Sequence, residues 1–170
     1  MEAKKIIITG AATRIGAAIA KSLANFNIKI LLHYNKSSIE VKKLKISLEE
    51  LGAEVFLIKA DLNKANETKK IIPYAYKMMK GIDCLINNAS IFENDNIENF
   101  DEKGFDKHLN INLKSPALLS RDFFKHVKKS KGIIINIIDQ RIFKLTPHFL
   151  SYTLSILLVI QKWTFQTKQT

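Results

Sequence analysis

Five short stretches dominated by Ile, Leu and Val punctuate the chain: Ile6 to Thr9, Ile28 to Tyr34, Glu54 to Ala60, Ile82 to Asn87 and Gly132 to Asp139. Their apolar positions run nearly without interruption instead of alternating with polar ones, the pattern of strands covered on both faces in a parallel sheet. Between them the spacing turns helical. Ile15, Ala18, Ile19, Leu23 and Phe26 share one helical face. Val41, Leu44, Leu48 and Leu51 repeat the pattern ahead of Gly52, and Thr68, Ile71, Ile72, Ala75 and Met79 do so ahead of Gly81, each glycine serving as a helix stop. Phe105, Leu109, Leu113, Ala117, Phe124 and Val127 predict a longer amphipathic helix closed by a lysine-rich turn. Strand and helix therefore alternate from end to end, which predicts an α/β fold: a Rossmann-like, doubly wound parallel sheet of about five strands in three layers. The last stretch, Ile156 to Thr170, breaks this rhythm, passing from the apolar run Ile156 to Ile160 into a tail rich in Gln, Thr and Lys.

Composition narrows the class. Of 170 residues, 46% are apolar and 25% charged, enough apolar material to bury the core of one domain. The single cysteine, Cys84, cannot form an internal disulfide, and no apolar run reaches the roughly 18 residues of a membrane-spanning helix. The apolar stretch that follows Met-Glu-Ala-Lys-Lys is too short for a secretory h-region, so the expected compartment is the cytoplasm. The formal charge is 27 − 16 = +11. A basic surface can bind nucleic acid, but all but three of these cations (Arg14, Arg121 and Arg141) are lysines, scattered in ones and twos. Base-reading proteins favour arginine forks, and a solvated lysine surface is the better reading. Neither nucleic acid nor membrane is an expected partner, and no metal site is expected.

Directly after the first strand the chain reads Thr9-Gly10-Ala11-Ala12-Thr13-Arg14-Ile15-Gly16 and enters the first helix. Small residues let the backbone turn tightly, and the helix start offers unpaired amides to a pyrophosphate. Gly10 permits the turn and Gly16 a close helix–strand approach. At the end of the second strand, where NAD-specific folds place a carboxylate for the ribose hydroxyls, stand His33-Tyr34-Asn35-Lys36-Ser37-Ser38. Nothing there repels a 2′-phosphate; Lys36 can pair with it, Ser37 can donate a hydrogen bond and Arg14 adds a second charge, so NADP(H) is the expected cofactor. The plainer alternative makes Lys36 one more surface lysine and Ser37 the cap of the next helix.

Together these segments resemble the short-chain dehydrogenase/reductase family, and within it the pteridine reductases and bacterial dihydrofolate-reducing relatives. The resemblance runs from the first strand to about Ser155, marking 1–155 as an NADP-binding domain and 156–170 as a divergent tail. Thr9 to Gly16 is similar to the family's TGxxxGxG loop, with Arg14 in the slot of the middle glycine as in the pteridine-reducing branch. His33-Tyr34-Asn35-Lys36-Ser37 resembles that branch's phosphate site, with Tyr34, Asn35, Lys36 and Ser37 toward the cofactor, and Asp61-Leu62 the pair that meets the adenine. Asn87-Asn88-Ala89-Ser90 resembles the NNAG-type turn, with Asn88, Ala89 and Ser90 toward the cofactor, and Phe92 matches the aromatic residue that stacks a pterin on the nicotinamide. The resemblance implies that Asn112 holds a relay water, that Asp139 stands where most members carry serine, and that Tyr152 is the proton donor. Arg14, Ser90, Phe92, Asp139 and Tyr152 would then line the site of a pterin or folate-like substrate. Singly, Asp139 reads as a turn residue, Tyr152 as an amphipathic surface residue and Asn112 as a helix-face amide.

One departure is chemical. The family's YxxxK motif requires lysine four residues after Tyr152, and that position is Ile156. The ammonium would lower the phenol pKa, whereas a neighbouring Asp139 carboxylate would raise it above about 10. Lys162, ten residues along a helix and so about 15 Å away, cannot substitute. The family chain also continues through two more strands after the point where the likeness ends, a change of the kind a frameshift produces. Without them Gly132 to Asp139 would form an open edge, predicting modest stability and edge-to-edge association. Homo-oligomers are usual in the family. The expected function is an NADPH-dependent reductase of a pterin or dihydrofolate-like ring, impaired by the missing lysine. The alternatives are a catalytically dead nucleotide-binding remnant and, as a minor one, a basic nucleic-acid-binding protein.

Overall fold

The structure, a computed structural model, describes residues 3–25, 27–127, 131–140, 143, 145 and 147–157. Five strands, β1 (Lys4–Ile8), β2 (Ile28–Tyr34), β3 (Glu54–Lys59), β4 (Cys84–Asn87) and β5 (Ile133–Asn136), form one sheet in the order β3-β2-β1-β4-β5, and every pairing is parallel. The register sets Ile6 between Ile30 and Cys84, and Ile8 between Leu32 and Ile86. Successive residues of a strand face opposite sides, so two cores result. On one side Ile7, Leu31 and Leu85 pack with Ile71, Ile72, Ala75 and Met79 of α4 (Ile71–Met79) and with Leu119 and Phe123 of α6 (Ser115–Val127). On the other, Ile6, Ile8, Ile30 and Leu32 meet Ala20 of α1 (Arg14–Leu23) and Val41, Leu44 and Leu48 of α2 (Ser38–Glu50). This is the expected doubly wound, three-layer α/β fold. The short α3 (Ala65–Thr68) follows β3, α5 (Glu102–His108) runs through a π-helical turn at Leu109–Lys114 into α6, and α7 (Leu150–Leu157) follows β5.

Three helix faces differ from the sequence pattern. In α1, Ile15 and Ala18 point outward while Gly16 and Ala20 are buried, because small residues let the helix sit against the β1 loop more closely than isoleucine could. In α2, Leu51 lies beyond the last helical residue and is half exposed, where Gly52 turns the chain with φ +92°. Along α5–α6 His108, Ile111, Asn112, Ser115, Leu119, Ser120, Phe123 and Val127 are buried; of the expected face Val127 is among them, while Phe105, Leu109, Leu113, Ala117 and Phe124 are only partly covered. That expectation assumes one 3.6-residue register throughout, which the wider π turn at Leu109–Lys114 interrupts. Phe26, the lysine-rich turn after Val127, Lys162 and residues 158–170 lie outside the described residues. Ile156, the expected start of the tail, is buried within α7.

At the β5 edge, Ile133 and Ile135 are 61% and 42% exposed. An apolar, uncharged edge pairs readily with another strand, and lysine on such an edge opposes pairing. Ile135→Lys is therefore expected to lower self-association of the 170-residue chain, read by analytical ultracentrifugation across concentration. Equal association by the variant and its parent would mean that β5 is not the contact.

Candidate active site

In an all-parallel sheet the carboxyl ends of the strands lie along one edge, and here each is followed by a segment singled out in the sequence. The chain reverses its direction of winding between β1 and β4, the crevice where open α/β sheets bind ligands. Gly10 turns the loop after β1 with φ +61°, and a Cβ on it would come within 2.8 Å of the Ala89 Cα. A Cβ on Gly16 would lie 2.4 Å from the Gly10 carbonyl oxygen and 2.6 Å from Asn88 Nδ2. Both positions demand glycine, because the loop after β1, the start of α1 and the loop after β4 approach too closely to admit a Cβ. Arg14, exposed at the start of α1, takes φ +50°, a left-handed backbone that glycine accepts without cost. Ile15, next to it, is 56% exposed.

The loops after β1 and β4 are stitched together. The Thr9 hydroxyl accepts from the amides of Asn88 and Ala89, both at 3.0 Å, and donates to the Ile86 carbonyl at 3.4 Å. Asn88 Nδ2 donates to the carbonyls of Thr9 at 2.9 Å and Gly10 at 3.1 Å. The β2 end joins through His33, whose Nδ1 accepts from the Gly10 amide at 3.1 Å and whose Nε2 donates to the Ala60 carbonyl at 3.0 Å. That arrangement requires the neutral ring protonated at Nε2. Burial pushes its pKa down from 6.5 to about 4, against smaller upward effects of the Ala60 carbonyl and the Asp61 charge. The sequence sets His33 in the phosphate-site segment, whereas the structure buries it between the Gly10 amide and the Ala60 carbonyl, a bridge that leaves no local mark in the sequence.

Beyond β2, Asn35 and Lys36 are exposed and Tyr34 and Ser37 half-buried. Ser37 occupies the N-cap position of α2, but its hydroxyl caps none of the helix amides. After β3, Asp61 Oδ1 accepts from the Asn63 amide at 3.0 Å, and the Leu62 carbonyl accepts from the Ser115 hydroxyl at 2.6 Å, fixing that end to α6.

The other end of the candidate site is built from the β4 loop, the π turn, the β5 end and α7. Asn112, buried in the π turn, accepts through Oδ1 from the Ile91 amide at 2.9 Å and the Ser90 hydroxyl at 3.1 Å, and donates through Nδ2 to the Ile91 carbonyl at 3.1 Å and the Ser155 hydroxyl at 2.9 Å. Its amide thus ties the β4 loop to α7. The Tyr152 hydroxyl, on a side chain only 5% exposed, donates to Asp139 Oδ2 at 3.2 Å. Phe92 stands edge-on to Tyr152, ring centres 4.7 Å apart at 87°, and lies nearly parallel to Phe149 at 4.0 Å and 14°. Ile156, one turn after Tyr152, is buried and supplies no charge. Asp95 and Phe149, which tie the β4 loop to α7, are not evident from the sequence. A cap position filled by phenylalanine is the one hint that a remote group must serve it. Among the described residues no cluster of acids, histidines or cysteine could hold a metal ion, and no helix is long and apolar enough to cross a membrane.

A family model described as short chain dehydrogenase matches residues 4–156. The chain belongs to the short-chain dehydrogenase family. Among its relatives, an uncharacterized oxidoreductase of Thermotoga maritima is 28% identical over 156 residues, 91% of this chain and 60% of the relative. A short-chain dehydrogenase/reductase of Pestalotiopsis microspora is 27% identical over 79% of this chain and 51% of its own length. The chain thus spans about half to three-fifths of the length of those relatives. Of the solved structures, the FolM alternative dihydrofolate reductase 1 of Brucella canis, complexed with NADP, is 34% identical with a TM-score of 0.83, over 89% of this chain and 62% of that one. A short chain dehydrogenase of Burkholderia cenocepacia in complex with NADP has a TM-score of 0.86 at 24% identity, covering 94% and 65%, a likeness of fold.

Proposed function

We propose that this chain binds NADPH and carries the proton-donating half of a reductase site for a planar pterin or dihydrofolate-like ring. The observation that carries the reading is the Tyr152 hydroxyl, hydrogen-bonded to Asp139 at 3.2 Å on a ring set nearly perpendicular to that of Phe92. It supplies a proton donor, an orienting carboxylate and an aromatic surface for a flat substrate in one place. The tight turn that Gly10 and Gly16 allow brings the start of α1 to the β1 end, where helix amides suit a pyrophosphate, with Arg14, Lys36 and Ser37 as the groups for a 2′-phosphate and Asp61 for the adenine end. The cofactor, when bound, supplies hydride. The chain's own residues do the rest: Asn112 holds the β4 loop against α7, Phe92 and Ser90 present surface and hydroxyl to the substrate, and Tyr152 delivers the proton while Asp139 orients its hydroxyl. The NADP carried by the FolM protein, 34% identical, supports the cofactor.

A second reading, a nucleotide-binding chain without turnover, is favoured by Ile156. The buried isoleucine one turn from the phenol stands where the YxxxK motif has its lysine. Loss of such a charge at a reacting centre commonly costs about 10²- to 10³-fold in rate. NADPH titration by nicotinamide fluorescence, paired with dihydropterin turnover, separates the two readings. Enhanced fluorescence with turnover fits the reductase, and fluorescence alone fits the remnant. Ile156→Lys is expected to raise turnover by about 10²-fold while Tyr152→Phe abolishes the gain. A lysine variant as slow as its parent would remove the missing cation as the cause.

A further inference from the structure

We propose that Asp95 is a positioning residue that sets Tyr152 against Asp139 and locks it to the loop bearing Phe92. The proposal rests on the reading of Tyr152 as proton donor. The Phe149 carbonyl accepts the first intrahelical bond of α7, from the Thr153 amide at 2.9 Å, so Phe149 fills the cap position. Ser, Thr, Asp or Asn usually stands there, because a side-chain oxygen satisfies the amides that open a helix. A phenyl ring cannot. Asp95, on the loop after β4 and 56 residues before Ser151, supplies both kinds of acceptor. Its carbonyl accepts from the amides of Phe149 at 2.6 Å and Leu150 at 3.3 Å, and its carboxylate accepts from the Ser151 amide, Oδ1 at 3.1 Å and Oδ2 at 3.3 Å. Ser151 is fully buried, so water cannot replace these bonds. The carboxylate also lies at the end of α7 where the peptide dipoles favour negative charge.

Two further observations make this more than a helix cap. Phe149 takes φ +65°, a left-handed backbone that a bulky residue disfavours, and its amide is one of those Asp95 engages. Its ring lies on Phe92, three residues before Asp95, and Phe92 meets Tyr152 edge-on. One acidic residue therefore holds the start of α7, the strained turn before it and the aromatic loop in a single arrangement. Tyr152 sits in the first turn of α7, so the place of its hydroxyl follows the place of the helix start. A displacement of about 1 Å is enough to cost orders of magnitude in a proton-transfer site.

The test uses the full chain with Asp95→Ala and Asp95→Asn, the asparagine keeping a carbonyl that can accept from Ser151. Amide hydrogen exchange is followed at Ser151 and Tyr152, with Ile7 and Leu31 in the central sheet as references, together with NADPH titration and dihydropterin turnover. In the alanine variant exchange at Ser151 and Tyr152 is expected to accelerate about ten-fold or more with the references unchanged. NADPH affinity stays within about two-fold of the parent, while kcat falls about ten-fold, more than KM rises. The asparagine variant recovers most of the protection and of kcat. Unchanged exchange at Ser151 and Tyr152, equal acceleration at Ile7 and Leu31, or an asparagine variant no better than alanine would each overturn the proposal. A parent chain that turns over no dihydropterin counts against the reductase reading alone, since exchange and its recovery by asparagine still decide the role of Asp95.

Discussion

Gly16→Val is expected to lower NADPH affinity by at least about 100-fold, or about 3 kcal/mol, measured by nicotinamide fluorescence. A Cβ at Gly16 meets the Gly10 carbonyl at 2.4 Å, Asn88 Nδ2 at 2.6 Å and the Ala11 Cα at 2.9 Å. Two of these are backbone atoms of the loop itself, so neither can swing aside as the end of a flexible side chain would. To admit the methyls, α1 must lift from the loop or Asn88 must release the carbonyls of Thr9 and Gly10, and either change displaces the turn and the helix amides that follow it. Overpacking of this kind also destabilises the fold, commonly by about 1–3 kcal/mol. Gly104→Ala is the control: its Cβ would meet only the Asp101 carboxylate, no nearer than 3.6 Å, and alanine in α5 gains about 0.5–1 kcal/mol over glycine. Parental affinity in the valine variant would show that the cofactor does not use this loop.

The second large effect is a loss of stability in mild acid through His33. Its pKa is 6.5 in the unfolded chain and about 4 in the folded one, because burial disfavours the charged ring. Between those values the unfolded chain binds a proton that the folded chain does not, so stability falls as pH falls from 6.5 toward 4 and is regained as pH rises. The difference of about 2.5 pKa units corresponds to roughly 3 kcal/mol at the acid end. Protonated Nδ1 can no longer accept from the Gly10 amide, so NADPH affinity is expected to decline in the same window. His33→Gln, whose side chain can accept from Gly10 and donate to Ala60, should flatten the dependence. Urea unfolding of parent and variant across pH 6.5 to 4 isolates the contribution of His33 from that of carboxylates common to both. Parallel profiles would mean that His33 is protonated without cost.

Much of the cofactor half is legible along the chain because its determinants are local. The glycine at position 10 marks the turn that needs positive φ, and Arg14 in the slot of a second glycine proves to hold a left-handed backbone as well. The face of Thr68, Ile71, Ile72, Ala75 and Met79, which the structure divides between α3 and α4, is buried throughout as the spacing implies. The α1 and α5–α6 faces are not legible in the same way. Hydrophobicity favours Ile15 and Leu113 for burial, but the close approach of Gly16 to Gly10 and the π turn around Asn112 select the neighbouring stripes. Those choices depend on contacts between elements, which a periodicity along one helix does not contain.

What the amino-acid order alone determined, then, is the alternation of buried strands and amphipathic helices, the glycine-bearing turn after β1 and the set of polar residues at the strand ends. Backbone preference and 2- or 3.6-residue periodicity act over a few positions and are written locally. The tertiary structure decided which of those polar groups touch. Five parallel strands bring their carboxyl ends to one edge, where His33 reaches Gly10, Asn112 reaches both Ile91 and Ser155, and Asp95 reaches across 56 residues to the start of α7. Each of these bonds joins segments whose separation is set by the crossover helices between them, and only the closed sheet supplies the distance.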